Sequence, residues 1–271
     1  MISMIPKVRF ALLDMFTEIV PLRELYAPED PAKDPGDKQY PIIGFAVLVQ
    51  HPELGNILFD TGIDGDWQKN WNDEMRKLYN VQYVNRLEDK LKELDLTPED
   101  IDLLILSHLH YDHAGNLRLF QNTKAGARVL ISEAEAREAF VAVNLDDTGY
   151  SGAYWKPEFL GLKGIRFELV REGMKLADDV ELFIQRGHTP GVLGLKIAAE
   201  SGTYIFPSDA GQFSWNFEDP MVMPGFCADP EGYRNNIREL QAMAAETGGK
   251  IVLSHDIEFL KLWKLSPYMY E

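Results

Sequence analysis

Apolar positions in this chain fall into short blocks punctuated by Gly, Pro and Asp, a spacing that predicts many strands with helices between them. VRFALLD near the start, IIGFAVLVQ (42–50) and NILFDTG (56–62) read as strands, the last two joined by a turn through Pro52 and Gly55. The segment between the first two carries Pro28, Pro31, Pro35 and Gly36. It is long for a connection, as a functional edge or a lid would be. Residues 66–94 read as a broken helical stretch, whose second part, VNRLEDKLKELDL, sets Val84, Leu87, Leu91 and Leu94 on one face. Thr97 before Pro98 predicts a short capped turn, LLIL (103–106) a buried strand and ARVLIS (127–132) another. SEAEAREAFVAV opens on Ser132 with Glu135 three residues on, the pattern of a capping box.

The second half follows the same grammar. GIRFELV, DVELFIQ, LGLKIAA and TYIFPSD predict strands, and KIVLSHD a final one. Between the last two, DPEGYRNNIRELQAMAAETGG predicts a helix that starts at Asp229 and Pro230 and stops at Gly248 and Gly249. Strands followed by helices in both halves argue for an α/β sandwich, with helices covering two packed sheets. No linker interrupts the pattern, so residues 1–271 are expected to form one domain.

Composition narrows the function. With 43 acidic against 27 basic residues the chain carries a net charge of −16, and no run of Lys or Arg offers the basic footprint that nucleic acid requires. The single cysteine, Cys227, excludes an internal disulfide framework and a cysteine-based zinc site. MISMIPKVRFALLDMF is interrupted by Lys7, Arg9 and Asp14, so it does not read as a signal peptide, and no window is apolar enough for a membrane span. Cytoplasm is the expected location.

The chemistry concentrates in LLILSHLHYDHAGN (103–116), which holds three of the six histidines. In an extended backbone His108 and His110 share a face while Leu109 points back to the core. Asp112 and His113 follow at once. Such N/O donors suit Zn²⁺, Fe²⁺ or Mn²⁺, with zinc the default for a histidine-rich set. They exceed the needs of one tetrahedral ion, which favours a second metal completed from further along the chain. His188 in GHTPG, Asp209 in FPSDAG and His255 in VLSHD each follow a predicted strand, where a rigid scaffold presents loops to a common site. Any one of these alone would be an ordinary turn residue. The sixth histidine, His51 in VQHPE, reads as an ordinary loop residue.

SHLHYDH, GHTPG, SDA and SHD, in this order and spacing, resemble the metallo-β-lactamase superfamily, and most of all its acyl-homoserine lactonase branch. The likeness runs from FDTG (59–62) to the terminal SHDIE. It implies a four-layer αββα sandwich and two metal ions, with His108, His110 and His188 on one, Asp112, His113 and His255 on the other, and Asp209 bridging them. Asp60 would orient a ligand histidine. The implied reaction is that of a quorum-quenching lactonase, in which a hydroxide between the two metals opens a cyclic ester and Asp112 serves as proton donor. The implied partner is a small lactone or ester, and the oligomeric state stays open, a dimer included.

Other branches agree less well. Nucleases of this fold act on polyanions, secreted β-lactamases need an export signal, glutathione-thioester hydrolases usually add a basic C-terminal helical region, and flavin-linked members add a flavin domain. The tract DAGQFSWNFEDPMVMPGFCADPE (209–231) is laid out like the lactonase branch, with one departure. The branch has a Tyr three residues after the bridging Asp, positioned at the substrate carbonyl, where this chain has Gln212, the residue expected to stabilise the oxyanion here, which donates a hydrogen bond but has no ionisable proton. Two aromatic segments, QKNWNDEMRKLY and DDTGYSGAYWKPEF, are candidates for an apolar pocket wall. Hydrolysis of a linear ester, thioester or cyclic amide at the same metals, or metal binding without turnover, are the alternatives.

Overall fold

Strands β1 (Arg9–Pro21) and β2 (Gln39–His51) run antiparallel over almost their full length, and a bulge at Met15 interrupts the register between Asp14 and Phe16. The computed structural model describes residues 7–28 and 31–271, so the first six residues of the N-terminal reading and part of the Pro-rich loop lie outside the described residues. The larger sheet adds β3 (Gly55–Phe59), β4 (Asn80–Val84), β5 (Leu103–Ile105), β6 (Val129–Ser132) and β9 (Phe167–Val170), in the order β4-β1-β2-β3-β5-β6-β9. A small hairpin pairs β7 (Tyr150–Ser151) with β8 (Tyr154–Trp155). The second sheet is β10 (Met174–Ala177), β11 (Val180–Gln185), β12 (Val192–Ala199), β13 (Gly202–Phe206) and β14 (Lys250–Ile251), in sequence order.

The two-residue period of β1 explains its nearly continuous apolar run. Phe10 and Leu12 face the second sheet, packing with Val47, Ile57, Phe59, Leu182, Leu195 and Phe206. Ala11 and Leu13 face the other way, into a cluster with Leu87, Leu91, Leu117, Ala136 and Ala139 from the helical layer. A sheet buried on both faces has no polar face to alternate with. On the far side, the helix Pro230–Thr247 sets Tyr233, Ile237 and Leu240 on one stripe against Ile205 of β13. Helices, two sheets and a helix stack as the four-layer αββα sandwich expected of this sequence. Each fully buried Val, Leu, Ile or Phe side chain among these contributes roughly 1.5–3 kcal/mol.

Differences from the sequence reading have physical causes. Val84 ends strand β4, which pairs with β1 from Phe16↔Val84 to Ile19↔Asn80 and covers that edge; only Leu87–Lys92 of the second part is helical. The final strand keeps just Lys250 and Ile251 in register. After Val252, which still donates its N–H to Ile205 O (2.8 Å), the chain turns so that His255 N–H reaches Gln212 O (3.2 Å). Ser132 caps the helix Glu133–Leu145 by accepting from Glu135 N, but the Glu135 carboxylate accepts from Leu109 N–H (2.9 Å) instead of closing a capping box. Strand β10 and the β7–β8 hairpin were not foreseen. Among the described residues no helix is long and apolar enough to cross a membrane.

Candidate metal centre

Topology brings the seven candidate side chains to one edge. β3 and β5 are parallel neighbours in one sheet, and β11 and β13 both run antiparallel to β12 in the other, so within each sheet the two strands end toward one edge. His108, His188 and Asp209 each stand three residues beyond a strand end, at Ile105, Gln185 and Phe206. Gly187 enables the approach of His188, since its φ is +132° and a Cβ there would lie 2.6 Å from Tyr233 Cα.

All seven are buried, none more than 9% exposed. His110 Nδ1 lies 3.1 Å from both His108 Nε2 and His188 Nε2, and Asp209 Oδ2 is 3.2 Å from His188 Nε2. Asp209 Oδ1 turns the other way, 3.2 Å from His113 Nε2 and 3.0 Å from His255 Nε2. Asp112 Oδ2 completes that side at 3.5 Å from His113 and 3.6 Å from His255. The donors therefore form overlapping groups: His108, His110 and His188; His108, His113 and Asp209; Asp112, His113 and His255. Within each the ligating atoms lie within 4.8 Å of one another.

Neighbouring hydrogen bonds decide which ring nitrogen faces the centre. Asp60 Oδ2 accepts from His113 Nδ1 (2.9 Å) and from Ser107 Oγ (2.8 Å), while Oδ1 accepts the Ser107 N–H (2.7 Å). Ser107 Oγ in turn accepts from His108 Nδ1 (2.9 Å) and Ser208 Oγ (2.8 Å). His255 Nδ1 donates to Ile43 O (2.9 Å). With Nδ1–H committed, the Nε2 lone pairs of His108, His113 and His255 are left pointing inward, the tautomer a metal ligand needs. His113 Nε2 is buried with no hydrogen-bond partner among the described residues, an orphan that a cation would satisfy. Asp60 and Ser208 hold left-handed backbone, φ 63° and 51°, which costs about 1–2 kcal/mol for a non-glycine residue and is maintained here by these bonds.

Electrostatics suit a cation. Burial, joined by the neighbouring imidazoles, drives His108 and His110 well below the ordinary histidine range and lowers His188. Burial opposes charge on Asp209 and Asp112 too, but the adjacent histidines outweigh it and hold both carboxylates low. His113 and His255 move upward, since the facing carboxylates overcome burial. Neutral imidazoles at His108, His110 and His188, beside two carboxylates that already draw positive charge onto His113 and His255, form a donor set of the kind that binds divalent transition metals.

Gln212, expected near the substrate carbonyl, points its Nε2 at Asp209 Oδ2 (2.8 Å), and its Oε1 has no partner among the described residues. Ser254 Oγ donates to the other Asp209 oxygen (3.0 Å). His51 is not an ordinary loop residue. It is 7% exposed, with Nδ1 accepting from Glu53 N and Leu54 N and Nε2 donating to Asp179 (2.9 Å), so it ties the β2–β3 turn to the turn before β11. Both aromatic segments reach the site. Trp71 and Tyr79 pack on Tyr111, with ring centroids 5.2 and 3.9 Å apart, and Tyr154 stands 4.7 Å from His110.

Of the supporting residues, sequence reasoning found Asp60 and missed the others, although a signal was present. Serine precedes three of the candidates, as Ser107-His108, Ser208-Asp209 and Ser254-His255, and all three serines are buried and hydrogen-bonded at the centre. Glu18, Glu135 and Glu158 had no such signal, because a buried carboxyl is not distinguished in sequence from a solvated one.

Glu158 accepts from Trp71 Nε1 (2.8 Å) and burial pushes its carboxyl up to about 8 from an ordinary 4.5. A raised folded value means that its stabilising contribution is complete below about pH 4.5 and is lost as pH rises through about 8. Glu158→Gln should therefore raise Tm relative to wild type progressively between pH 5 and 8.5, read by scanning calorimetry. A Tm difference that stays flat across this range would show that Glu158 is ionised in the fold throughout.

Residues 40–255 match the family profile described as the metallo-beta-lactamase superfamily. An N-acyl homoserine lactonase of Bacillus cereus is 30% identical over 225 residues, covering 79% of this chain and 82% of that protein. The N-acyl homoserine lactonase AiiB of Agrobacterium fabrum is 30% identical over 244 residues, with 83% and 84% covered. Among solved structures, a mutant of Bacillus thuringiensis AiiA with N-decanoyl-L-homoserine bound at its active site aligns with a TM-score of 0.79 at 23% identity, over 98% of this chain and 100% of that one. AidC, a dizinc quorum-quenching lactonase in complex with its product, aligns at 0.69 and 18% identity, over 93% and 89%. At these identities the structural likeness concerns the fold.

Proposed function

We propose, because this chain belongs to the metallo-β-lactamase superfamily and gathers seven N/O donors around one carboxylate, that it opens lactones at a dinuclear zinc centre. The chain is a metal-dependent hydrolase, and its curated relatives carry the name N-acyl homoserine lactonase. The observation that carries the reading is the position of Asp209, whose Oδ2 reaches His188, whose Oδ1 reaches His113, and both of whose oxygens lie within 3.2 Å of His255. In this proposal His108, His110 and His188 hold one ion, Asp112, His113 and His255 the other, and Asp209 both. Iron or manganese would suit the same donors less well than zinc, given five imidazoles.

Two divalent ions bound there supply Lewis acidity, polarising an ester carbonyl and making water nucleophilic near neutrality. The remaining work falls to the protein. Asp60, Ser107 and Ile43 O fix the imidazoles in the tautomers described above. Ser254 and Gln212 each donate to a different oxygen of Asp209, which holds the carboxylate plane between the two groups. Gln212 retains a second amide hydrogen for a substrate carbonyl, a weaker donor than the phenol of the lactonase branch. Asp112, beside His113 and His255, would carry a proton to the departing ring oxygen. Tyr154 and Phe226 pack against the His110 ring, with centroids 4.7 and 5.6 Å away.

Metal analysis of protein grown with zinc should return about two ions per chain, as the two-metal reading requires. Assay against a panel of lactones, thioesters and β-lactams should give the highest kcat/KM on a lactone. One ion or none, or a preference for thioesters or lactams, would overturn the proposal.

A further inference from the structure

The outward ring nitrogens divide the five histidines of the centre into two kinds. Those of His108, His113 and His255 are held, on Ser107 Oγ, Asp60 Oδ2 and Ile43 O. His110 and His188 are different. His110 turns Nδ1 inward and His188 turns Nε2 inward, the two atoms 3.1 Å apart. Their outer nitrogens, His110 Nε2 and His188 Nδ1, are buried with no hydrogen-bond partner among the described residues. No bond at the outer nitrogen fixes either ring, so their placement falls to the backbone that carries them.

That backbone converges on the first turn of the helix Glu133–Leu145. Glu135 is fully buried, and its Oε1 accepts the N–H of Leu109 (2.9 Å), the residue between His108 and His110. The hydroxyls of Thr189, directly after His188, and of Tyr154 both act on the same carboxyl. Tyr154 packs 4.7 Å from the His110 ring and forms an isolated bridge with its backbone. Ser132, the cap of the helix, donates its Oγ to Gly191 O in the loop that follows His188. Gly191 approaches so closely that a Cβ there would meet Ser132 Oγ at 2.4 Å. Both histidine loops rest on one helical turn.

A carboxyl is a costly choice for packing alone. Ala136 and Ala139 fill neighbouring positions of the helix without desolvating a polar side chain, whereas a buried carboxyl loses its hydration. That cost is offset where the carboxyl satisfies an otherwise unpaired N–H. We infer that Glu135 is the positioning residue of the three-histidine half of the centre, setting His110 and His188 through their backbone as Asp60 sets His113 through its ring. The inference rests on the two-metal reading and goes beyond it, because it gives the two ions separate supports. Loss of Glu135 weakens one ion and spares the other.

The test measures zinc affinities by competition with a chelator, in wild type, Glu135→Gln and Glu135→Met, together with the Tm of the metal-free forms. Glu135→Met should bind one ion about 10–100-fold more weakly and the other within about threefold of wild type. Glu135→Gln keeps a carbonyl oxygen for the Leu109 N–H, so both affinities should stay within about threefold. Anomalous scattering from zinc in Glu135→Met crystals should find the remaining ion among Asp112, His113 and His255. An equal fall of both affinities, or a surviving ion among His108, His110 and His188, would overturn the inference. So would a lower metal-free Tm with both affinities unchanged, the signature of packing alone. Should Glu135→Met not fold, Glu135→Asp, whose carboxylate stops one methylene short of Leu109, takes its place. Wild type that binds a single ion would sink the two-metal reading instead. Glu135 is then judged on that ion, where affinity about tenfold weaker in Glu135→Met than in Glu135→Gln supports the positioning role and equal affinities reject it. Wild type that binds no zinc rejects both.

Discussion

Asp209→Asn and His110→Ala are each expected to cut hydrolysis by more than about a thousandfold, beyond the 10²–10³ lost with a single oxyanion donor. The reason is geometric. Asp209 reaches both halves of the centre, with Oδ2 at 3.2 Å from His188 and Oδ1 at 3.0 Å from His255. An amide in its place keeps the shape but loses the negative charge that balances two cations, and one of its arms becomes a donor facing a lone pair. His110 Nδ1 sits between His108 and His188, so its removal opens that group. Metal content should fall along with activity in both variants. His51→Ala is the control. It breaks the link between the β2–β3 turn and Asp179, so Tm should drop, while metal content and kcat stay near wild type. If the three variants lost activity equally, or if Asp209→Asn kept both metals and full turnover, the assignment of the centre would be wrong.

How far the sequence reveals this site depends on how local each signal is. His108, His110, Asp112 and His113 lie within six residues, where the alternation of an extended backbone already says that His108 and His110 meet and Leu109 does not. His188, Asp209 and His255 are legible because each follows a predicted strand, and their convergence needs only that the strands run the same way. The helix Pro230–Thr247 is legible from its cap, its apolar stripe and its terminal glycine, which is left-handed at φ 63°. Strand β4 is different. Its sequence, NVQYV, has partly exposed side chains and is held by hydrogen bonds to the edge of β1, a long-range pairing that no local period encodes. Glu135 shows the same limit on a smaller scale. Its position fits a capping box, yet the Leu109 N–H between two site histidines is a better partner because it is otherwise buried and unpaired. His51 was misread for the converse reason, since the Asp179 that buries it comes from the other sheet.

Asp60→Asn is the second large effect expected, a loss of about 10–100-fold in metal affinity, the range usual for a partner that orients a ligand histidine. Three donors converge on this carboxylate: His113 Nδ1 and Ser107 Oγ on Oδ2, and the Ser107 N–H on Oδ1. An asparagine has one oxygen for these donors. Whichever way the amide is turned, its NH₂ meets either the His113 N–H or the Ser107 N–H, and one contact becomes repulsive. If Ser107 loses its anchor, so does His108, whose Nδ1 rests on Ser107 Oγ. If His113 loses its acceptor, its tautomer is no longer fixed and the inward Nε2 lone pair is shared with a protonated form. Either path weakens a ligand without removing it. The variant should therefore regain activity as zinc is raised, whereas Asp209→Asn should not. Competition with a chelator of known affinity measures the first effect, and a zinc titration of kcat/KM separates the two. Unchanged affinity in Asp60→Asn would mean that His113 holds its orientation without the carboxylate, and that the left-handed backbone at Asp60 serves the turn alone.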